Sequence, residues 1–255
     1  MLSIKHLDKH FGGVHATRDV SIDFPDGSLT AIIGPNGAGK TTFFNLISGA
    51  SRPDAGSVVF DGQDIVGKSS VEVVRLGMAR AFQIAALFPS LTVTEALTAA
   101  VTSHQRQSWR LGARFPLAQA QDDVDEIIDL LGLHAKAHSL SRNLSHGDQK
   151  LLDIGLSLAM KPKVLLLDEP TAGMGPDERW RMIGKVQELW RARKMTVLFI
   201  EHDMDIVFKI AQLIHVLKYG AVLAQGTADE IRHNQDVIDA YLGTDQHLAQ
   251  AVGEK

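Results

Sequence analysis

A glycine-rich run that ends in a lysine and two threonines is the clearest chemical pattern in the chain. Residues 34–41 read Gly-Pro-Asn-Gly-Ala-Gly-Lys-Thr and match the G-x-x-x-x-G-K-[ST] pattern of a phosphate-binding loop. In such a loop, glycines let the backbone approach phosphate oxygens, and successive N–H groups point at the anion. The lysine would add a positive charge for the outer phosphates, and the first threonine hydroxyl would bind a magnesium ion. We predict that a nucleoside triphosphate binds along Gly34, Pro35, Asn36, Gly37, Ala38, Gly39, Lys40, Thr41 and Thr42.

The segments on either side of this loop support the prediction. Residues 29–33 form a short apolar run that is typical of a buried strand, and residues 42–47 continue with the apolar spacing of a helix. A chance glycine-rich turn is the alternative interpretation. The strand–loop–helix order, with Lys-Thr at the end of the loop, favours phosphate binding.

A second apolar run ends in two acidic residues. Residues 164–168 predict a buried strand that ends in Asp168, and Glu169 follows directly. A carboxylate at the end of a neighbouring strand is where a P-loop protein holds magnesium, so Asp168 is a predicted metal ligand. Glu169 projects differently and could polarise a water for attack on the γ-phosphate, as a general base. The alternative is two acids that merely end a strand at the sheet edge.

A serine and a glycine precede this strand in the sequence Leu-Ser-His-Gly-Asp-Gln. Ser145 with Asp148 three residues later is a helix-capping pattern, so an ordinary helix start is one interpretation. The same physics allows another function. The Ser145 hydroxyl, the Gly147 N–H and the positive end of a helix together make an anion site.

Hydrophobic patterning predicts an α/β fold around these motifs. The near-continuous apolar runs at residues 164–168 and 196–200 indicate a mainly parallel sheet that is covered on both faces. Residues 2–8 alternate, which predicts strands at the start of the chain. Residues 84–143 show almost no strand pattern, but apolar residues at helical spacing predict a helical insertion: Val124, Ile127, Ile128 and Leu131.

The last part of the chain predicts a hairpin and two short helices. The hairpin strands are residues 213–217 and 221–224, and the helices are residues 228–232 and 236–242. Thr227 and Glu230 have the spacing of a capping box at the start of the first helix.

Composition excludes several classes of protein. The net charge of −4 over 255 residues lacks the basic excess of a nucleic-acid-binding surface, so we predict no nucleic-acid partner. The absence of cysteine excludes disulfides and thiolate chemistry. No apolar stretch approaches the ~18–20 residues that cross a bilayer, so any role at a membrane is expected to come through partner subunits.

Together, these motifs resemble those of ABC-type ATPases. Leu-Ser-His-Gly-Asp-Gln is similar to the signature sequence of that family and lies shortly before the aspartate strand, in the family's order. The resemblance implies a P-loop nucleotide-binding domain with a mainly parallel core sheet, an N-terminal antiparallel β subdomain and a helical insertion. It implies one domain over residues 1–245, with residues 84–143 as the insertion and residues 246–255 as a tail.

The resemblance also assigns roles to single residues. It implies that Phe11 stacks on adenine, whereas considered alone Phe11 is a packing residue. Gln83 matches the glutamine that senses magnesium and the attacking water, and His202 matches the histidine that contacts the γ-phosphate. The implied ligands are ATP and Mg²⁺. Ser145 and Gly147 would contact the ATP that is bound to a second, facing subunit.

Within the family, the chain resembles the ATPase subunits of branched-chain amino acid importers. The supporting stretches are residues 80–83, 87–93, 168–174 and 240–243. The implied function is ATP hydrolysis that powers import of branched-chain amino acids or related small polar solutes. The alternatives are another ABC system (urea or amide import, or lipopolysaccharide export), a regulatory ABC ATPase with reduced hydrolysis, and a soluble ABC-type ATPase of translation or DNA repair.

Two positions depart from the family pattern. His146 replaces a glycine of the signature, and its imidazole would either contact the facing nucleotide or point to solvent. Gly175 replaces an aspartate in the loop that crosses the dimer, a change that concerns coupling between the subunits and not nucleotide binding, so hydrolysis is still expected.

The implied partners are transmembrane permease subunits and a second ABC ATPase, in a homodimer or a heterodimer. A periplasmic solute-binding protein would act indirectly, and the chain would lie peripherally on the cytoplasmic face of the inner membrane.

The apolar residues that follow Gln83 have two interpretations: they line a groove that receives a permease helix, or they form the ordinary core of the insertion. These residues are Ile84, Leu87, Phe88 and Leu91. The basic and aromatic residues within 106–115 form either a contact for nucleic acid or lipid headgroups, or a solvated helix face.

Overall fold

The computed structural model describes residues 2–81, 88–105 and 118–242. Within these residues the strands are β1 (Leu2–Phe11), β2 (Val14–Phe24), β3 (Leu29–Ile33), β4 (Ala55–Phe60), β5 (Gln63–Asp64), β6 (Met78–Ala81), β7 (Val164–Asp168), β8 (Thr196–Ile200), β9 (Leu213–Lys218) and β10 (Ala221–Gly226). The helices are α1 (Lys40–Ile47), α2 (Ser70–Leu76), α3 (Val93–His104), α4 (Ala118–Leu131), α5 (His146–Leu158), α6 (Pro176–Arg193), α7 (Met204–Ile210), α8 (Ala228–Arg232) and α9 (Gln235–Leu242). No described helix combines the length and apolarity needed to cross a membrane.

A six-stranded sheet forms the centre of the fold, in the order β10-β9-β3-β8-β7-β6. Its described strands pair in parallel, except that β10 is antiparallel to β9. Every residue of β3, β7 and β8 is buried, because the sheet is covered on both faces. Leu165 and Leu167 pack with one apolar cluster and Leu166 with the other. The predicted parallel sheet is therefore confirmed.

A second, antiparallel sheet has the order β2-β1-β4-β5 and packs with α1 over one face of the central sheet. The expected alternation in β1 holds for Leu2 and Ile4 and then shifts by one residue to Leu7. The cause is a bulge at His6, which has a positive φ of 52° and interrupts the register with β2.

The helices α3, α4 and α5 pack together beside the other face of the central sheet. The predicted apolar face of α4 is present, with Val124, Ile127 and Leu131 buried. Gly155 of α5 lies against α3 and α4: a Cβ there would be 2.6 Å from Leu131 Cδ1 and 3.1 Å from Leu97 Cδ2. The glycine therefore permits a close approach of the three helices.

The hairpin and helices near the end of the chain agree with the prediction. β9 and β10 form the hairpin, and Thr227 and Glu230 make the complete capping box of α8. Leu91, one of the residues considered for a docking groove, packs against the apolar core. Ile84, Leu87, the basic and aromatic residues at 106–115 and the tail at 246–255 lie outside the described residues.

One buried histidine gives stability a specific pH dependence. His215 lies in β9 with its ring edge against Phe24, and no described residue hydrogen-bonds to either ring nitrogen. Burial lowers the pKa of His215 from 6.5 to about 4. Between these pH values the unfolded chain takes up a proton that the native chain does not, so stability is lost as the pH falls.

We expect His215→Leu to remove this loss, which is on the order of 3 kcal/mol by pH 4. Denaturant unfolding of wild type and variant between pH 7 and 4 would measure it, with the exposed His138→Gln as the matched control. Burial raises the pKa of Asp153 to about 7, which acts in the opposite direction over the same range, so only the difference between the proteins isolates the histidine. Parallel stability curves for the two proteins would contradict this account.

Candidate functional site

The glycine-rich run forms a tight loop between β3 and α1. Gly34 and Gly39 have positive φ values of 148° and 98°, which side chains with a Cβ rarely adopt. A Cβ on Gly34 would overlap the carbonyl oxygen of Leu217, and a Cβ on Gly39 would overlap that of Ala16. These two glycines are therefore required by the close packing of β9 and β2 against the loop.

Lys40 is the first residue of α1 and is buried at the base of the loop. Its Nζ donates hydrogen bonds to the carbonyl oxygens of Gly34 (2.7 Å) and Pro35 (3.1 Å). Burial lowers the pKa of Lys40, while the charges of Glu169 and Asp168 act in the opposite direction. The ammonium group is thus held inside the loop, where an anionic phosphate would satisfy both its charge and its hydrogen bonds.

Asp168 ends β7 at the same sheet edge. Its Oδ2 accepts a hydrogen bond of 2.6 Å from Arg80 of β6, and Arg80 also donates to Asn45 of α1. The other carboxylate oxygen, Oδ1, is buried and has no hydrogen-bond partner among the described residues. Carboxylate and hydroxyl oxygens are the donors that Mg²⁺ prefers, so Asp168 and the exposed Thr41 have the chemistry to hold this ion.

Glu169 and His202 meet at the ends of β7 and β8. Asp168 is paired with Ile200 in the parallel register, and Glu169 N donates to Ile200 O at 3.0 Å. Glu169 has a positive φ of 49°, an uncommon conformation for a residue with a side chain. Its Oε1 lies 2.8 Å from Nε2 of His202, and both side chains are half-buried. A carboxylate oriented by an imidazole is a competent proton acceptor.

A lysine on α5 holds the backbone of Glu169 in place. Lys150 Nζ donates to the carbonyl oxygen of Glu169 at 2.5 Å. Burial lowers the pKa of Lys150, and the charges of Glu201, Glu169 and other nearby acids oppose that shift. Glu201 in turn accepts hydrogen bonds from the backbone and hydroxyl of Thr171, two residues beyond Glu169. These contacts fix the turn that follows β7.

Most of the predicted site residues line one pocket of about 350 Å³. Phe11 lies at its mouth with 52% of its surface exposed, which excludes the interpretation that it is a core packing residue. The pocket walls are Phe11, Val14, Ala16, Asn36, Gly37, Ala38, Gly39, Lys40, Thr41, Thr42, Glu169 and His202. Gly34 and Pro35 contribute the carbonyl groups that hold Lys40, and Gln83 lies outside the described residues.

Ser145 and Gly147 line a different cleft, between α4, α5 and α6. Ser145 is the N-cap of α5 and accepts a hydrogen bond from Asp148 N at 3.1 Å. His146 makes a contact that neither sequence interpretation included: its Nε2 lies 3.2 Å from the carbonyl oxygen of Ala172, in the turn after Glu169. The start of α5 is therefore joined to that turn within the same chain.

Sequence reasoning missed several supporting residues. Arg80 lies in the stretch 80–83 and Glu201 directly precedes His202, but the sequence patterns assigned no role to either residue. Lys150 directly follows the Leu-Ser-His-Gly-Asp-Gln run and carried no separate signal. Tyr241 of α9 is buried against the phosphate loop: burial raises its pKa, and a hydrogen bond with the Gly34 backbone opposes the shift.

The fold and the site together define a P-loop nucleotide-binding protein. A strand–loop–helix anion site, a strand-end aspartate and a glutamate–histidine pair meet in one pocket at the carboxyl edge of a parallel sheet.

Comparisons with known proteins identify the family. A family model described as "ABC transporter" matches residues 17–172, and one described as "Branched-chain amino acid ATP-binding cassette transporter" matches residues 221–247. The chain is 36% identical to the high-affinity branched-chain amino acid transport ATP-binding protein LivG of Escherichia coli K12, covering 95% of this chain and 98% of that protein. It is 37% identical to the probable LivG of Archaeoglobus fulgidus, covering 95% of both.

Solved structures show the same architecture. An ABC transporter cassette in its ADP conformation has a TM-score of 0.82 at 31% identity, covering 95% of this chain and 98% of that one. A nucleotide-free ABC cassette has a TM-score of 0.79 at 28% identity, covering 100% and 99%. This chain belongs to the ABC transporter family, and it is an ATP-hydrolysing subunit of that family.

Lys150 provides a test of how the turn positions Glu169. We expect Lys150→Met to lower kcat for ATP hydrolysis by about tenfold to a hundredfold, because Glu169 loses the hydrogen bond that holds its carbonyl group. KM for ATP should change little, since Lys150 does not line the nucleotide pocket. Steady-state ATPase assays would separate the two constants.

Lys150→Arg is the matched control, because it retains a cationic donor and should keep most of the activity. Thermal unfolding would verify that both variants are folded. An unchanged kcat in folded Lys150→Met would show that the hydrogen bond has no role in positioning Glu169.

Proposed function

We propose that this chain is the ATP-hydrolysing subunit of an importer for branched-chain amino acids or related small polar solutes. The observation that carries this proposal is that two comparisons agree. The relatives named for branched-chain amino acid transport align over 95% of this chain, and the model for that type of cassette matches its C-terminal region.

Glu169 is proposed as the general base of hydrolysis. Its carboxylate would accept a proton from the water that attacks the γ-phosphate, and His202 would hold the carboxylate and contact the same phosphate. Lys40 would exchange its bonds to the loop carbonyls for bonds to the outer phosphates. Phe11, exposed at the mouth of the pocket, would stack on the adenine ring.

Thr41, Asp168 and Gln83 are proposed to hold Mg²⁺. When bound, the ion supplies positive charge that stabilises the negative charge developing on the phosphate oxygens. The unpartnered Oδ1 of Asp168 supports this proposal, because a buried carboxylate oxygen without a partner is costly.

The functional unit is proposed to be a head-to-tail dimer with a second ABC ATPase. Ser145 and Gly147 lie apart from the nucleotide pocket of their own chain, and a Cβ on Gly147 would overlap the carboxylate of Glu178. In the facing subunit, the Ser145 hydroxyl and the N-terminal end of α5 would bind the γ-phosphate from its other side. Hydrolysis would remove that shared contact and let the dimer open.

Permease subunits are proposed to dock in a groove of about 350 Å³ between α2 and α3. Val71 of α2 lines it and is 60% exposed, and the partly buried Val74 and Met160 add apolar surface. An amphipathic helix of a membrane protein binds such a groove through its apolar face. The chain would then lie on the cytoplasmic face of the inner membrane, and a periplasmic solute-binding protein would act through the permease.

We expect Glu169→Gln to trap an ATP-bound closed dimer, because the amide keeps the shape of the side chain but accepts no proton. ATPase activity should fall at least about a hundredfold. Size-exclusion chromatography with Mg-ATP should show a dimer, and with ADP a monomer. Glu126→Gln, at an exposed position of α4 outside both clefts, is the matched control and should behave as wild type.

Adding Ser145→Arg to Glu169→Gln should abolish the dimer while leaving ATP bound, because the arginine would fill the space for the facing nucleotide. Near-normal hydrolysis by Glu169→Gln would remove Glu169 from the role of base. A dimer that survives Ser145→Arg would contradict the proposed arrangement.

Uptake of radiolabelled leucine tests the transport function. We expect the chain, together with its permease subunits, to restore uptake in cells that lack their own branched-chain amino acid ATPases. Val71→Glu should abolish uptake but not ATP hydrolysis by the purified chain, because a charge in the groove would disfavour an apolar helix. Gln63→Glu, an exposed position on β5 outside the groove, is the control.

The possible results separate the alternatives. Uptake of urea or an amide without leucine uptake would change the solute class and keep the importer. ATP hydrolysis without any uptake or co-purifying permease would contradict the importer. An intact nucleotide site with no hydrolysis would favour a regulatory subunit.

A further inference from the structure

A cluster of histidines and aspartates lies at the tip of the β1–β2 hairpin, outside the nucleotide pocket. His10 and His15 are directly opposite each other on the two strands, next to the pair Phe11 and Val14. Their rings stack with centroids 3.8 Å apart and an angle of 20° between the planes. Asp8 lies two residues before His10, and its Oδ1 is 2.6 Å from His15 Nε2 and 3.5 Å from His10 Nδ1.

We propose that Asp8, His10 and His15 bind a divalent transition-metal ion of the zinc type, which ties the two strands of the hairpin together. One donor atom from each of these residues lies within 4.8 Å of the others. Two imidazoles and one carboxylate are donors that Zn²⁺ accepts, and an open position would remain for water.

The observed spacing is close to that of a metal site. Donor atoms around a tetrahedral zinc ion are about 3.3 Å apart, given zinc–ligand bonds of about 2.0 Å. The two distances from Asp8 Oδ1, 2.6 Å and 3.5 Å, bracket this value. Asp54 Oδ2 lies 3.7 Å from His10 Nδ1 and accepts a hydrogen bond from the backbone N–H of His10. This bond holds the backbone of one proposed ligand in place.

Asp8 is oriented as a ligand by the neighbouring backbone. Its Oδ2 accepts a hydrogen bond from Asp19 N at 3.1 Å, which leaves Oδ1 facing the two histidines.

Arg18 competes with the metal. Its Nε donates to Nδ1 of His15 at 3.1 Å, which leaves the proton of that imidazole on Nε2, the atom facing Asp8. A metal bound at Nε2 requires the proton on Nδ1, so Arg18 must turn away. Its side chain is exposed and free to do so, and removing it should strengthen metal binding.

The position of the cluster gives the metal a structural effect. Phe11 and Val14, the next cross-strand pair, line the nucleotide pocket, and the carbonyl oxygen of Ala16 lies against Gly39 of the phosphate loop. A metal ion between His10 and His15 would therefore restrain the strand ends that form the mouth of the pocket.

Calorimetric titration of ZnCl₂ into tag-free, EDTA-treated full-length protein without nucleotide tests this proposal. We expect one site that weakens at least about tenfold in His10→Ala, in His15→Ala and in Asp8→Asn, and that tightens in Arg18→Gln. His6→Ala is the matched control, because His6 pairs with Asp19 on the same two strands outside the cluster. Circular dichroism in EDTA would verify that each variant is folded.

Hydrogen exchange provides a second readout. Zn²⁺ should slow exchange of the backbone amides of residues 10–15 in wild type and in His6→Ala, but not in His10→Ala. Equal zinc affinity in wild type and in the His10→Ala/His15→Ala double variant would overturn the proposal. So would an equal loss of affinity in His6→Ala, or zinc binding that leaves hairpin exchange unchanged.

Discussion

The parallel register between β7 and β8 is the constraint on which the site depends. It sets Asp168 opposite Ile200, so the two strands end at the same level and Glu169 and His202 emerge side by side. Because β3 pairs with the other edge of β8, the phosphate loop begins at that level too. Ends of parallel strands gather loops at one edge of a sheet, and here three loops meet around one pocket. A slip of one residue in this register would separate the carboxylate from the imidazole.

The turn after β7 links this pocket to the more distant parts of the molecule. Lys150 and His146, both on α5, bind the carbonyl oxygens of Glu169 and Ala172. Since α5 also packs with α3 and α4 through Gly155, a displacement of these helices would be transmitted to the backbone beside Glu169. The left-handed conformation of Glu169 makes this turn a strained element that such contacts hold in place.

The sequence predicted those features of the fold and the site that depend on a residue type with few structural roles. The loop glycines, Lys40 and the buried apolar strands follow from local pattern, because only glycine fits the close packing and only covered strands are apolar throughout. The helix α2 and the strand β6 were not predicted, since a four-residue edge strand containing Arg80 lacks a clear period. The roles of Lys150 and Arg80 depend on contacts across 19 and 88 positions, which no local pattern contains. The bulge at His6 was missed because residues 2–8 were interpreted as one alternating strand, although the step from Ile4 to Leu7 is one residue too long for alternation.

The contact between Tyr241 and Gly34 has a consequence for how the chain is made. The residues that back the phosphate loop, Leu217 and Tyr241, are translated long after the loop itself. Until then the growing chain on the ribosome has an anion-binding loop without its support, and contacts this far apart in sequence form slowly. The loop therefore gains the support of β9 and α9 only after these elements have been synthesised and have packed against it.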